Sequence, residues 1–227
     1  MKLKKIASLA LAGIMAVSML AGCKDGGNSN SGSSSSEDTS TTSGYSAMLG
    51  QKAASDLKKN DRDEIFTFAD NADDQKILEK IVLRNVADQN VVDVVKGIYV
   101  NNRQNDTSFA GKLDTAFKTE KDKGTYGVIG GLATNNYDSQ NSTYFAEVYV
   151  ANGSVAMDVV MDEIYEDLKD QFVGAVKTNN ATSGTTKLNY EYTVSVSVVN
   201  KPVTGNTLVN GSANFIAVTV TRTAEVA

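Results

Sequence analysis

An α+β fold follows from three patterns in the 227-residue chain. Between Ser154 and Lys177, Val160, Ile164, Leu168, Phe172 and Val176 recur every four residues, as do Asp158, Asp162, Glu166 and Asp170. At about 100° per residue the two rows fall on opposite sides of one amphipathic helix. Between Leu188 and Val198 the period changes to two: Leu188, Tyr190, Tyr192, Val194, Val196 and Val198 alternate with Asn189, Glu191, Thr193, Ser195 and Ser197, the signature of a strand with unlike faces. Upstream, before residue 124, the apolar spacing is mostly helical. The predicted architecture is therefore a set of N-terminal helices followed by a ββαββ unit, with a mostly antiparallel sheet packed on one long amphipathic helix.

The N-terminus is read separately from the fold. Lys2, Lys4 and Lys5 precede an apolar run from Ile6 to Leu20, which ends in Leu20-Ala21-Gly22-Cys23. Fifteen residues fall short of the roughly 20 that span a bilayer, so the segment reads as a signal peptide. Leu20-Ala21-Gly22-Cys23 resembles the lipobox of bacterial lipoproteins, and the resemblance covers residues 1–23 alone. It implies a diacylglyceryl group on the Cys23 thiol with palmitate-type acyl chains, cleavage after Gly22, and a mature chain anchored to the cell membrane on its extracytoplasmic side. Cys23 is the single cysteine, so no internal disulfide forms, and an exported free thiol would be a liability unless used. Two acyl chains hold a protein stably where one is marginal.

From Lys24 to Gly44, seventeen of twenty-one residues are Ser, Gly, Thr or Asn and none is apolar. Such a segment has nothing to bury and serves as a tether with a root-mean-square span of about 25 Å. Its length favours a Gram-positive source. Residues 1–22 are thus assigned to the signal peptide, 23–44 to the lipidated cysteine and tether, and 45–227 to one globular domain of ordinary size.

Within that domain, Tyr45, Leu49, Ala53 and Leu57 form a first helical row, ended by the polar Asp61-Arg62-Asp63-Glu64. Ile77, Leu78, Ile81, Val82 and Val86 form a second, with Asn71 or Asp73 as its cap. Val91 to Val100 fits either a strand, by its β-branched residues, or a short helix ending near Gly97. Phe109, Leu113 and Phe117 mark a further helix, capped by Asp106 or Thr107 and closed by Lys118 to Lys123 with Gly124. Thr125 to Thr134 is expected as a glycine-interrupted strand, Asn135-Asn136-Tyr137-Asp138 as a turn, and Thr143 to Val150 as a second strand. The long helix then opens on Ser154 as N-cap after Gly153. The alternating strand follows, then a loop with Pro202, Gly205 and Asn210-Gly211, and a last strand over Ala213 to Thr223. The Ser/Thr-rich side of the sheet is either open to solvent or partly covered by the N-terminal helices.

Composition closes several routes to chemistry. With no histidine and with Cys23 committed to lipid, Ser-His-Asp, Cys-His and ordinary zinc sites are excluded. Removal of residues 1–22 takes away three lysines and moves the formal charge from −5 to −8, which argues against nucleic acid as a partner. Ser55-Asp56-Leu57-Lys58 matches S-x-x-K but lacks the S-D-N and K-T-G partners. Gly127-Val128-Ile129-Gly130-Gly131 lacks the spacing and lysine of a phosphate loop, so close packing or a bulge explains its glycines better. Asp61/Asp63/Glu64 and Asp70/Asp73/Asp74 lack the glycine and glutamate of a calcium loop and read as solvated caps.

No catalytic, cofactor or metal residue is therefore expected. The site residues that remain are Cys23 for lipid attachment and an acidic interaction stripe of Asp158, Asp162, Glu166 and Asp170. The function expected is a membrane-anchored surface lipoprotein, non-enzymatic, with a protein or envelope component as partner. The alternative is a small carboxylate-dependent hydrolase of envelope polymers, which needs two facing carboxylates and, here, works without a tryptophan platform.

Overall fold

The computed structural model describes residues 44–86, 99–101, 109–121, 126–127, 129–133, 142–179, 186–202 and 212–227. The signal segment, Cys23 and the tether up to residue 43 lie outside the described residues. So do residues 91–98 of the Val91–Val100 segment, the caps Asp106 and Thr107, residues 122–125 at the end of the third helical pattern, and the 135–138 turn.

The N-terminal helices form where their apolar rows place them. Helix α1 spans Tyr45–Lys59 and buries Ser46, Leu49, Ala53 and Leu57; of the expected row Tyr45 is only partly buried, and Ser46 takes its place. It begins at Gly44 in the left-handed region, at φ 72°, where a side chain would be strained. A remote carboxylate takes the place of a local cap: Asp70 accepts from the backbone N–H of Gly44 at 3.0 Å and of Ser46 at 3.3 Å. Strand β1 is short, Phe66–Phe68. Helix α2, Ala72–Asn85, is capped by Asn71, whose side chain accepts from the N–H of Asp73 and Asp74. That selects Asn71 over Asp73, and leaves Asp73 and Asp74 as first-turn carboxylates favoured by the helix dipole.

Strand β2 is Tyr99–Asn101 and helix α3 is Phe109–Lys121. Between Tyr126 and Ala133 the chain is not one continuous strand. Strand β3 is the two residues Tyr126–Gly127, and a 3-10 turn follows at Ile129–Gly131. A Cβ on Gly127 would lie 2.8 Å from the Phe145 ring, so the glycine makes room for that ring across the strand pair, the close-packing explanation.

Strand β4 covers Thr143–Asn152, helix α4 Met157–Val173, strand β5 Leu188–Pro202 and strand β6 Ser212–Val226. Helix α4 is shorter than the Ser154–Lys177 expectation, and its N-cap is Ala156, with no side-chain cap bond. Ser154 is spent elsewhere: its N–H and Oγ both lie within 2.9 Å of Asn152 Oδ1, which closes the turn after β4. At the other end Gly174 stops the helix, and Val176 packs against the core from the extended segment that follows.

The sheet is mixed, in the order β1-β5-β6-β4-β2, with β3 also on β4. Its long pairings are antiparallel, β4 with β6 and β5 with β6, while β1 with β5 and β3 with β4 are parallel. Strands β4 and β5, joined by α4, therefore run in the same direction with β6 inserted between them. Alternation along the strands sends the side chains into two cores. On one face Phe145, Tyr149, Tyr190, Tyr192, Val194, Val196, Ile216, Val218 and Val220 meet α1 and α4. On the other, Ala146, Val148, Val150, Ala213, Phe215 and Ala217 meet Leu78, Ile81 and Val82 of α2 and Leu113 and Phe117 of α3. The molecule is thus α+β in composition and three layers deep, helices on both faces of the sheet.

Of the two expectations for the Ser/Thr side, partial coverage is the one found. Along β5, Asn189, Glu191 and Thr193 are exposed, whereas Ser195 and Ser197 are buried at 3% and 2%. The alternation in burial stops where helix α2 reaches the strand.

Candidate functional site

Helices α1 and α4 lie side by side and run in the same direction, because contacts ascend together along both: Lys52 to Asp158 and Asp162, Asp56 to Tyr165 and Lys169, Arg62 Nε to the Ala175 carbonyl at 2.9 Å. Parallel macrodipoles repel, and ion pairs across the seam offset that repulsion. The acidic stripe predicted from the sequence is part of this seam. Asp158 and Asp162 bracket the Lys52 ammonium at 2.7 and 2.8 Å, Glu166 stands 3.9 Å from Lys169, and Asp170 is exposed. Hydrogen bonds to Asp158 and then Asp162 raise the Lys52 pKa above its ordinary value. The four carboxylates form one row on the helix, but their surroundings divide them: the first two neutralise α1, and the last two face outward.

A turn further on, Asp56 accepts from the Tyr165 hydroxyl at 2.9 Å and pairs with Lys169 at 2.8 Å. The Lys169 ammonium, with help from the Tyr165 hydroxyl, holds the Asp56 carboxyl below the usual range. Burial, and then the hydrogen bond to Asp56, push the Tyr165 phenol well above its ordinary value. Asp56 is the second residue of the Ser55-Asp56-Leu57-Lys58 motif. Ser55 and Lys58 themselves lie exposed on the outer side of α1, and the structure brings no nucleophile to a base there.

The sequence reading missed a second carboxylate arrangement, on the same face of the sheet. Glu147 of β4 is 4% exposed, and Asp167 of α4 reaches down beside it. Both approach one hydroxyl, Tyr149 Oη, at 2.9 Å from Glu147 Oε2 and 3.0 Å from Asp167 Oδ2. Those oxygens are therefore at most about 6 Å apart, too close for the roughly 6.5 to 9.5 Å of inverting glycoside hydrolysis, with the roughly 5 to 5.5 Å of the retaining kind inside that bound. The gap is filled, however: the Tyr149 phenol stands between the two carboxylates, where a substrate oxygen would have to sit. One sequence signal pointed here, a glutamate between Phe145 and Tyr149 on the apolar parity of β4.

At the far end of that face Arg222 is 2% exposed, its guanidinium 4.5 Å above the Tyr190 ring and its Nη2 2.9 Å from Thr143 Oγ1. Stacking on the ring and bonding to a hydroxyl are what keep a guanidinium tolerable inside a core. Beside it the Tyr192 hydroxyl donates to the Val176 carbonyl at 2.7 Å, and burial pushes its pKa up to about 12. On the opposite face Asp74, 1% exposed, pairs with Lys121 and accepts from Thr219 Oγ1 at 2.7 Å, which fastens α2 to α3 and to β6.

The other acidic triplets are also used structurally. Asp61 pairs with Lys177, Asp70 caps α1, and Asp73 lies in the first turn of α2. Among the described residues no group of three or more Asp, Glu, His or Cys is placed to hold a metal ion, and no helix is long and apolar enough to cross a membrane. No family model, curated protein or solved structure matches this chain.

Proposed function

We propose that the chain is a bacterial surface lipoprotein, anchored through a diacylglyceryl group on Cys23 on the extracytoplasmic side of the cell membrane, whose folded domain binds a protein or envelope component without catalysing a reaction. The observation that carries this reading is the run from Lys2 to Gly44: basic start, short apolar segment, Leu20-Ala21-Gly22-Cys23, and a tether with nothing to bury. The handover from tether to domain supports it. Gly44 turns the chain in the left-handed region and Asp70 grips the first amides of α1, so a pull on the tether is taken up at a fixed point on the domain. The scaffold presented in this way is, in our reading, a ββαββ unit, a mostly antiparallel sheet on one long amphipathic helix. The order β3, β4, α4, β5, β6 and the antiparallel pairings of the three long strands support that description.

The carboxylate-dependent hydrolase remains the second reading, on one observation, the close approach of Glu147 and Asp167. The phenol between them favours binding over catalysis. The outward half of the acidic stripe, Glu166 and Asp170, is the charge that a basic partner would meet, whereas Asp158 and Asp162 already serve Lys52.

The test is replacement of the anchor. Cys23→Ala should leave uncleaved precursor or release the protein from the membrane fraction, and should abolish labelling by a palmitate analogue. A Cys23→Ala chain still cut after Gly22 and still membrane-bound would overturn the lipoprotein reading. Crosslinking on intact cells with the wild-type chain then identifies the partner.

A further inference from the structure

The turn that leads from β4 into α4 joins two residues with a chemistry of their own. Strand β4 ends at Asn152, opposite Ala213 of β6, and the next residue is Gly153. Strand β6 leaves no room there for a larger side chain: a Cβ on Gly153 would strike Ser212 Oγ and lie 2.8 Å from the Ser212 carbonyl carbon and oxygen. Packing thus sets an asparagine directly before a residue with no side chain, the combination in which a backbone amide reaches the preceding carboxamide with least obstruction.

That reaction is intramolecular. The Gly153 amide gives up its proton, its nitrogen bonds to Asn152 Cγ, the bond from Cγ to the carboxamide nitrogen breaks, and ammonia leaves behind a five-membered succinimide. Water then adds to one of the two ring carbonyls and opens the ring to an aspartyl or an isoaspartyl residue. No reagent other than water is consumed. The first step needs a free Gly153 N–H and a carboxamide carbon able to swing into bonding approach of that nitrogen. The closed turn withholds both. Gly153 N–H donates to the Ser212 carbonyl at 3.0 Å, a main-chain contact at the end of the β4–β6 pairing. Asn152 Oδ1 is taken by two donors from Ser154, its N–H at 2.9 Å and its Oγ at 2.8 Å, and the Asn152 carbonyl accepts from Val155 N–H at 3.1 Å. Side chain and main chain of Asn152 are therefore fixed together, although Asn152 and Gly153 are only half-buried and open to water.

We propose that Asn152 is a self-deamidating site gated by this turn: it stays asparagine while Gly153 is bonded to Ser212, and it converts through a succinimide when that bond opens. A contact at the end of a strand pair, beside a polar turn, is where local opening is frequent. Conversion runs one way. An isoaspartyl product routes the main chain through the former side chain and lengthens it by one methylene, so Gly153 no longer meets Ser212 in register. The chain then enters α4 displaced, next to the first turn whose Asp158 holds Lys52.

Hydrogen exchange and deamidation both require removal of the Gly153 amide proton, and that shared step supplies the experiment. The full chain, solubilised in detergent, is incubated at neutral pH beside a peptide of residues 148–157, which has the same sequence but no β6 to bond to. Peptide mapping by mass spectrometry follows conversion at Asn152, with aspartyl and isoaspartyl products separated by chromatography. It also separates this site from the second Asn-Gly pair, Asn210-Gly211, which lies outside the described residues. Exchange of the Gly153 amide is read under the same conditions. Conversion at Asn152 should be slower in the folded chain than in the peptide by roughly tenfold or more, and by at least the factor that protects the Gly153 amide from exchange. Raising urea through the unfolding transition should speed both together, until conversion matches that of the peptide in the same urea. Any of three results overturns the proposal: a Gly153 amide that exchanges as fast in the fold as in the peptide, conversion in the folded chain at the rate of the peptide, or conversion that stays slow in urea after the amide has been released.

Discussion

Tyr192 carries the clearest consequence at the scale of single residues. Its phenol titrates near 10 in an unfolded chain and at about 12 in the fold, where burial disfavours the phenolate. Its contribution to stability is complete below pH 10. Between 10 and 12 the unfolded chain sheds a proton that the folded one keeps, so stability falls by up to about 1.4 kcal/mol per pH unit. Tyr165 acts in the same sense. Tyr192→Phe, followed by urea unfolding at several pH values, should therefore be less stable than wild type at pH 7, through loss of the bond to the Val176 carbonyl, but should decline less steeply above pH 10. Equal slopes would show that the phenol is not held in its neutral form. The acidic stripe gives a second residue-level outcome. Sequence alone makes Asp162 and Glu166 equivalent members of a repulsive row, whereas the fold places Asp162 against Lys52 and leaves Glu166 nearly free of its neighbour. Asp162→Asn should lower the melting temperature and Glu166→Gln should leave it unchanged or raise it slightly. Spacing along a helix identifies which residues share a face; it does not contain the residue that a second helix brings to that face.

Strand β5 is the element in which sequence and structure can be compared position by position. Its period of two was legible, and Val194 and Val196 do face the α4 core, at 0% and 2% exposure. The opposite parity was legible only as polar. Ser195 and Ser197 are as buried as the valines, under α2, and the Ser195 hydroxyl has no hydrogen-bond partner among the described residues. Val196→Ala should thus cost about 1 to 3 kcal/mol, for two methyl groups and the space they leave. Ser195→Ala removes an unpaired buried hydroxyl and should be neutral or stabilising by up to about 1 kcal/mol. Chemical denaturation of the two variants checks this, and an equal loss at both would mean that Ser195 is bonded after all. Helix α4 shows the same division at its ends. Its middle was set by the apolar row, while its start moved from Ser154 to Met157 because Asn152 captured the Ser154 side chain, a contact between turn residues that helical periodicity does not register.

For the molecule as a whole, what the sequence alone determined is whatever depends on local pattern or on composition. The apolar rows of α1, α2, α3 and α4, the alternation of β5, the choice of Asn71 or Asp73 as a cap and the α+β class are all properties of residues within a few positions of one another, where helix and strand geometry converts spacing directly into a face. The exclusion of histidine and disulfide chemistry is a matter of counting. Tertiary structure alone decided what depends on residues far apart in the chain. It set helices on both faces of the sheet, slotted β6 between β4 and β5, and cut the expected strand near Gly127 to a two-residue pairing beside Phe145. It also brought Glu147 and Asp167 onto one phenol, and spent Ser46 and Gln75 on a strand edge some 120 to 150 residues away. These contacts exist because burying both faces of a sheet releases more free energy than burying one, and because each buried backbone or charged group must then find a partner wherever the packed chain supplies it.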